Sequence, residues 1–200
     1  MRNILIFIAT LTFLIACEKD RDISYEGFVP IFEESIYDSL QVHADYDYYE
    51  IRNNVCFDNN SYDIVYSEGT KPYTDSVFAP TNEGVYYSQG DLCAYNNIFI
   101  KNGEESYFLT SYSEIIEFLG EVDCKGDALF IAHLNGYYFE YNDIEFGIKE
   151  DGDGFLIYAC KLTSACTPLQ IDKFLIKIDI EGNIVVLEQS VLTKMENACI

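Results

Sequence analysis

The sequence predicts an α+β fold, with two short helices packed on a mainly antiparallel sheet and a loop-rich, strand-containing region before them. The clearest helix punctuation falls within residues 111–136. After Gly136 the apolar period changes from helical to alternating. Helices then strands, without strict β-α alternation, point to helices covering one face of an antiparallel sheet rather than to a parallel α/β sheet.

In chain order, Arg2 precedes an apolar run from Ile4 to Ala16. That run is shorter than the ~20 residues a helix needs to span hydrocarbon, so it reads as a secretory signal rather than a membrane helix. It ends in Leu14-Ile15-Ala16-Cys17, which resembles the lipobox of bacterial lipoproteins. The resemblance implies removal of residues 1–16, a diacylglycerol on the Cys17 thiol, acylation (palmitate-type chains) of the new amino terminus, and an outer-membrane lipoprotein of the cell envelope. Two or more acyl chains hold a protein at a membrane nearly permanently, where one chain holds it weakly. Acidic residues directly after Cys17, interrupted by Lys19 and Arg21, resemble the surface-export signal of Bacteroidetes lipoproteins and favour display over periplasmic retention. Residues 17–28 read as a flexible tether, charged and apolar-poor at its start.

Residues 29–96 form the loop-rich β region. Pro30, followed by Ile31, Phe32, Glu33, Glu34, Ile36 and Leu40, predicts a short helix with proline in the first turn and acids near the positive end of the dipole. From Asp45 to Cys93 the chain is rich in Tyr, Asp, Asn and Ser, with short alternating runs at Tyr62–Tyr66 and Val85–Tyr87 between turn clusters.

Residues 97–200 form the α+β domain. Ile98-Phe99-Ile100 and Tyr107-Phe108-Leu109 flank a turn at Lys101-Asn102-Gly103-Glu104, a hairpin signal. Ser111 with Glu114 makes a capping box, Ile115, Ile116, Phe118 and Leu119 supply an apolar face, and Gly120 suits the C-terminal cap. Asp127 is expected to cap a second helix whose Ala128, Leu129, Ile131, Ala132 and Leu134 form a wide buried stripe ending at Asn135-Gly136. Strands are expected at Tyr137–Tyr141, Ile144–Lys149, Phe155–Leu162, Ile171–Ile180 and Ile184–Leu187. In the fourth of these, Phe174, Ile176, Ile178 and Ile180 share one face while Lys173, Lys177 and Asp179 share the other, so one side of the sheet should be wet.

This order of hairpin, helix pair and meander, with Asp127-Ala128-Leu129, Asn135-Gly136-Tyr137, Gly154-Phe155-Leu156-Ile157-Tyr158, Ile176-Lys177-Ile178-Asp179 and Gly182-Asn183-Ile184, resembles small Bacteroidetes lipoproteins of unassigned activity. The layout is also similar to PepSY and cystatin-like domains, over residues 97–200 only.

With Cys17 taken by lipid, an even six cysteines remain for an oxidising compartment: Cys56, Cys93, Cys124, Cys160, Cys166 and Cys199. Six cysteines allow 15 connectivities. Segment neighbourhood suggests Cys56 with Cys93, Cys166 with Cys199, and Cys124 with Cys160. A zinc site built on paired spacings such as C-x-x-C is absent, and no metal or other cofactor is expected.

Charge is the compositional outlier. The formal net charge is −22, and loss of Arg2 with the leader makes it −23. Such a field repels phosphate backbones, which excludes nucleic acid as a partner and otherwise reads as solubility.

No catalytic motif is present. Serine nucleophile elbows, H-E-x-x-H and glycine-rich phosphate loops are all missing. Asp151-Gly152-Asp153-Gly154 invites calcium, but Phe155 and Leu156 stand where a calcium loop needs an oxygen ligand and a glycine, so a hairpin turn is the better reading. His133 reads as a helix residue at the core edge and His43 as a solvated one. Tyr46, Tyr48, Tyr49, Tyr86 and Tyr87 suggest a recognition surface, because rigid amphipathic rings give contact area at low entropic cost.

The expected function is therefore that of a non-enzymatic, lipid-anchored envelope protein that contacts the membrane through its lipid and binds a protein or small ligand. Two alternatives stand beside it, an inhibitor or immunity-type protein and a secreted hydrolase using acidic residues. Converging polar groups with shifted titration in a pocket would argue for the enzyme.

Overall fold

The computed structural model describes residues 24–37, 39–56, 62–73, 81–88 and 93–199. The leader, the lipobox and Cys17 lie outside the described residues. The fold is α+β and mainly antiparallel, as expected, but it holds two sheets with the helices between them.

The first sheet comprises β2 (Tyr48–Val55), β3 (Tyr62–Gly69), β4 (Val85–Ser88), β5 (Ala94–Asn102) and β6 (Glu105–Leu109). Its order is β3-β2-β5, with β4 and β6 both pairing with β5. The second sheet contains β1 (Val29–Pro30), β7 (Gly147–Glu150), β8 (Gly154–Ala165), β9 (Leu169–Asp179) and β10 (Ile184–Met195), in the order β1-β7-β8-β9-β10 and antiparallel throughout.

Helix α1 (Tyr112–Leu119) carries the expected capping box, and Gly120 follows it at φ 76°. Helix α2 (Lys125–Leu134) is buried on every face: Ala128, Leu129, Phe130, Ile131 and Ala132 have no exposure. A helix apolar all round belongs in a core. One continuous core runs from Tyr49, Ile51, Ile98 and Ile100 of the first sheet through α1 and α2 to Ile148, Phe155, Ile157, Ala159, Phe174, Ile176 and Ile178 of the second.

Several expectations are corrected. The boundary at 96/97 falls inside β5, which pairs with β2 from Ala94 to Lys101, so residues 29–96 and 97–200 share one sheet. Pro30 belongs to β1, paired with β7, and only a 3₁₀ turn at Glu33–Ile36 follows it. The tether ends before residue 28, because Tyr25 and Phe28 pack on Tyr158 at 5.2 and 4.9 Å between ring centroids. These rings also cover part of the sheet face expected to be wet, where Lys173 donates to Tyr25 Oη and Glu145 Oε2, both at 3.1 Å.

The cap of α2 is Cys124, whose sulfur accepts from the Asp127 N–H at 3.4 Å; Asp127 sits one turn into the helix. Tyr137–Tyr141 is not a strand. The Tyr137 N–H closes the end of α2 on the Ala132 carbonyl, leaving only a bridge between Tyr138 and Cys160. Ile180 lies beyond β9 and is exposed, while β10 continues to Met195. The hairpin forms with Gly103-Glu104, rather than Asn102-Gly103, as its central pair; Gly103 takes the positive φ.

Disulfides join Cys56 to Cys93 and Cys166 to Cys199. The expected Cys124–Cys160 bond is absent and both thiols are free. Cys124 starts α2, where its thiol donates to the Ser39 carbonyl at 2.7 Å. Cys160 is paired in register with Lys173, on the opposite face of β8 from the core residues Ile157 and Ala159.

Candidate ligand-binding cleft

The five tyrosines of the expected recognition surface divide. Tyr48 and Tyr49 are 3% and 4% exposed and belong to β2. Successive strand residues face opposite ways, so Tyr49 enters the core and Tyr48 joins Phe99 and Phe108 on the outer face. Tyr46 is partly buried, stacked on Phe118 at 5.6 Å. The strand itself was hidden by Glu50, Arg52, Asn53 and Asn54, polar residues that read as loop. Tyr46 and Tyr49 border a small hollow of about 320 Å³ that also contains Asp45 and Glu68. Glu68 there accepts hydrogen bonds from Tyr49 at 2.7 Å and Tyr66 at 3.4 Å.

Tyr86 and Tyr87 do line a cavity, of about 1050 Å³, between β4, the end of α2 and the outer halves of β8 and β9. The C-terminal stop of α2 shapes it. Gly136 takes φ 78°, and a Cβ there would stand 2.9 Å from the Tyr87 carbonyl oxygen, so helix and strand approach closely only around glycine. Tyr87 donates to Asn53 Oδ1 at 2.7 Å, which holds its ring 4.3 Å from the His133 ring. Tyr112 donates to the Gly182 carbonyl at 3.2 Å. On the opposite wall, Lys161 donates to the Asn135 carbonyl at 2.8 Å and lies 4.8 Å from the Tyr137 ring centroid. Asn135 is steadied in turn by its own bond to the Ile131 carbonyl at 2.8 Å.

The electrostatics follow from burial. His133 is lowered to about 4 and is neutral at pH 7. Burial also lowers Lys161 and raises Tyr87, Tyr112 and Tyr137, and it pushes Tyr138 up to about 12. Among the described residues no Asp or Glu lines the cavity, and Lys161 supplies the only formal charge on its wall. Polar groups with shifted titration do converge here, but their main cause is desolvation. A catalytic site adds a specific charge partner to desolvation; here the acidic neighbours, Glu140 at Tyr138 and Asp179 at Tyr112, only raise further two phenols that burial already holds protonated. Among the described hydrogen bonds, no hydroxyl of the wall donates to His133, so no nucleophile and base are paired.

Of the other expected residues, His43 is exposed, packed against Gly120 with its N–H on the Phe118 carbonyl at 3.0 Å. The Asp151-Gly152-Asp153-Gly154 stretch is a hairpin turn, closed by the Asp151 N–H on the Gly154 carbonyl at 2.8 Å. Its acids are neutralised by Lys177, at 3.1 and 3.2 Å, rather than left clustered for a cation.

Sequence reasoning missed Tyr112, Tyr137, Tyr138 and Lys161 as wall residues. One signal was available: Tyr137-Tyr138 after Gly136 repeats the pattern of Tyr86-Tyr87 shortly after Gly84. Comparison with family models, curated proteins and solved structures finds no match. The cleft must therefore be interpreted from its own chemistry.

Proposed function

We propose that this chain is a lipid-anchored protein of the bacterial envelope, tethered through Cys17 at the outer membrane, whose body binds a small ligand in the cleft without transforming it. The carrying observation is the wall: an aromatic lining of Tyr86, Tyr87, Tyr112, Tyr137 and Tyr138 with Lys161 as the single charge among the described lining residues, on a chain of net −22. Pockets of this kind bind through apolar surface and use a few polar groups to orient the ligand. A flat apolar body packed against the tyrosines, carrying an acceptor or anionic group within reach of Lys161, suits it.

The hydrolase reading finds no carboxylate pair among the described residues of this cleft. In the smaller hollow, Glu68 is already held by two tyrosine hydroxyls. The lipid anchor is supported by Leu14-Ile15-Ala16-Cys17.

An anilinonaphthalene sulfonate dye, flat, apolar and anionic, serves as the probe. Saturable binding at one site, weakened by Lys161→Met and by Tyr87→Ala, is the expected result; binding indifferent to both changes sinks the cleft. For the anchor, Cys17→Ala is expected to abolish lipid labelling and membrane retention, and a variant that still fractionates with membranes refutes it.

A further inference from the structure

Far from the cleft, the first turn of α2 gathers a second set of chemical groups. Asp123, Cys124 and Asp127 each offer one donor atom, and the three atoms lie within 4.8 Å of one another. We propose that this cluster, completed by the Ser39 carbonyl, binds one divalent transition-metal ion of the zinc class.

The observation that separates this cluster from an ordinary acidic helix start is Asp127. Its side chain has no exposure, and its Oδ1 accepts the Gln41 N–H at 3.0 Å, but among the described residues its Oδ2 has no hydrogen-bond partner. A buried carboxylate oxygen without a partner is costly, and an ion is one of the few things that accounts for it. The other donors come from two segments of the chain. Asp123 is the exposed residue before the cap, and Cys124 is the cap itself. Ser39 arrives from the preceding segment, with its carbonyl oxygen 2.7 Å from the Cys124 sulfur. One sulfur, two carboxylates and a carbonyl make a four-donor set for a borderline ion that takes sulfur at ~2.3 Å and oxygen at ~2.0–2.2 Å. The exposed Asp123 leaves a way in from solvent.

The binding step balances simply. The Cys124 S–H bond breaks, its proton leaves to solvent, and the thiolate electron pair forms the metal–sulfur bond. The Ser39 carbonyl, which accepts that proton in the metal-free chain, is thereby released to the ion. No oxidant or reductant is involved. The ion would pin residues 39–41 to the start of α2, a junction already so close that a Cβ on Gly126 would stand 2.7 Å from the Ser39 hydroxyl. A search for C-x-x-C pairs overlooks such a site, because only one of its ligands is sulfur and one comes from a backbone carbonyl.

The test is a cobalt(II) titration of the full chain with both disulfides intact. One equivalent should produce sulfur-to-cobalt charge-transfer absorption, and one equivalent of zinc should bleach it. Cys124→Ser should abolish the band; Cys17 and Cys160 remain in that variant and cannot account for the difference. Asp123→Asn, on an exposed residue outside the core, should weaken binding by about tenfold or more. Zinc should also protect Cys124 from alkylation in the unaltered native chain, a readout that stands even if Cys124→Ser fails to fold. Absence of the band, its persistence in Cys124→Ser, or unprotected alkylation of Cys124 under zinc overturns the proposal.

Discussion

Arg52 and Glu50 stand two residues apart on the same face of β2, both with no exposure, with Nε and Nη2 of the arginine each 2.6 Å from Glu50 Oε1. Tyr48 donates to the other carboxylate oxygen at 2.7 Å, and the guanidinium lies 3.9 Å from the Tyr62 ring centroid and 4.9 Å from that of Phe108. The pair makes a charged strand buriable. Removing one partner leaves an uncompensated buried charge, so Glu50→Ala should cost about 3–5 kcal/mol in urea denaturation. Replacing both with apolar residues of similar volume should recover most of that loss. A double variant as unstable as the single one would show that the pair does more than neutralise itself.

Gly136 sets the end of α2 against β4. Alanine there meets both a positive φ and the Tyr87 carbonyl at 2.9 Å. The expected cost is about 1 kcal/mol or more, and the shift of Tyr87 should weaken dye binding in the cleft as well. Equal stability and equal dye affinity in Gly136→Ala would mean that the close approach is not needed.

His133 predicts how stability depends on acid. Its folded pKa, about 4, lies below the unfolded value near 6.5. Below pH 6.5 the unfolded chain takes a proton that the folded chain refuses. The contribution is therefore fully present above pH 6.5, is lost as pH falls toward 4, and is flat below that; its size is up to about 3 kcal/mol. Comparison of His133→Gln with the parent by denaturation at pH 7 and pH 4.5 should show a smaller acid loss in the variant. Identical pH profiles would contradict the burial of this ring.

The cysteines should separate chemically. Cys124 is half-buried and Cys160 has no exposure, so in the native protein alkylation should label Cys124 first and Cys160 only after unfolding. Mass analysis without reductant should find Cys56–Cys93 and Cys166–Cys199 intact. Cys199→Ser opens a link across 33 residues and should cost about 2–5 kcal/mol. Simultaneous labelling of Cys124 and Cys160 under native conditions would count against the buried position of the latter.

The legible parts of this chain are those whose signal is local. The Ser111–Glu114 box, the Gly120 stop, the hairpin around Gly103 and the strand carrying Phe174, Ile176 and Ile178 need only neighbouring residues and a period, so the sequence by itself determined them, along with the α+β class. Tertiary structure decided what depends on distant partners. Polar β2 is a strand because Glu50 neutralises Arg52 and because β3 and β5 flank it. Cys124 caps a helix rather than pairing with Cys160 because Ser39 receives its thiol. The cleft exists because Gly136 lets Tyr87 lie against His133, two residues 46 positions apart. No period or spacing records a meeting of that kind, since it is fixed only when two sheets close around one buried helix.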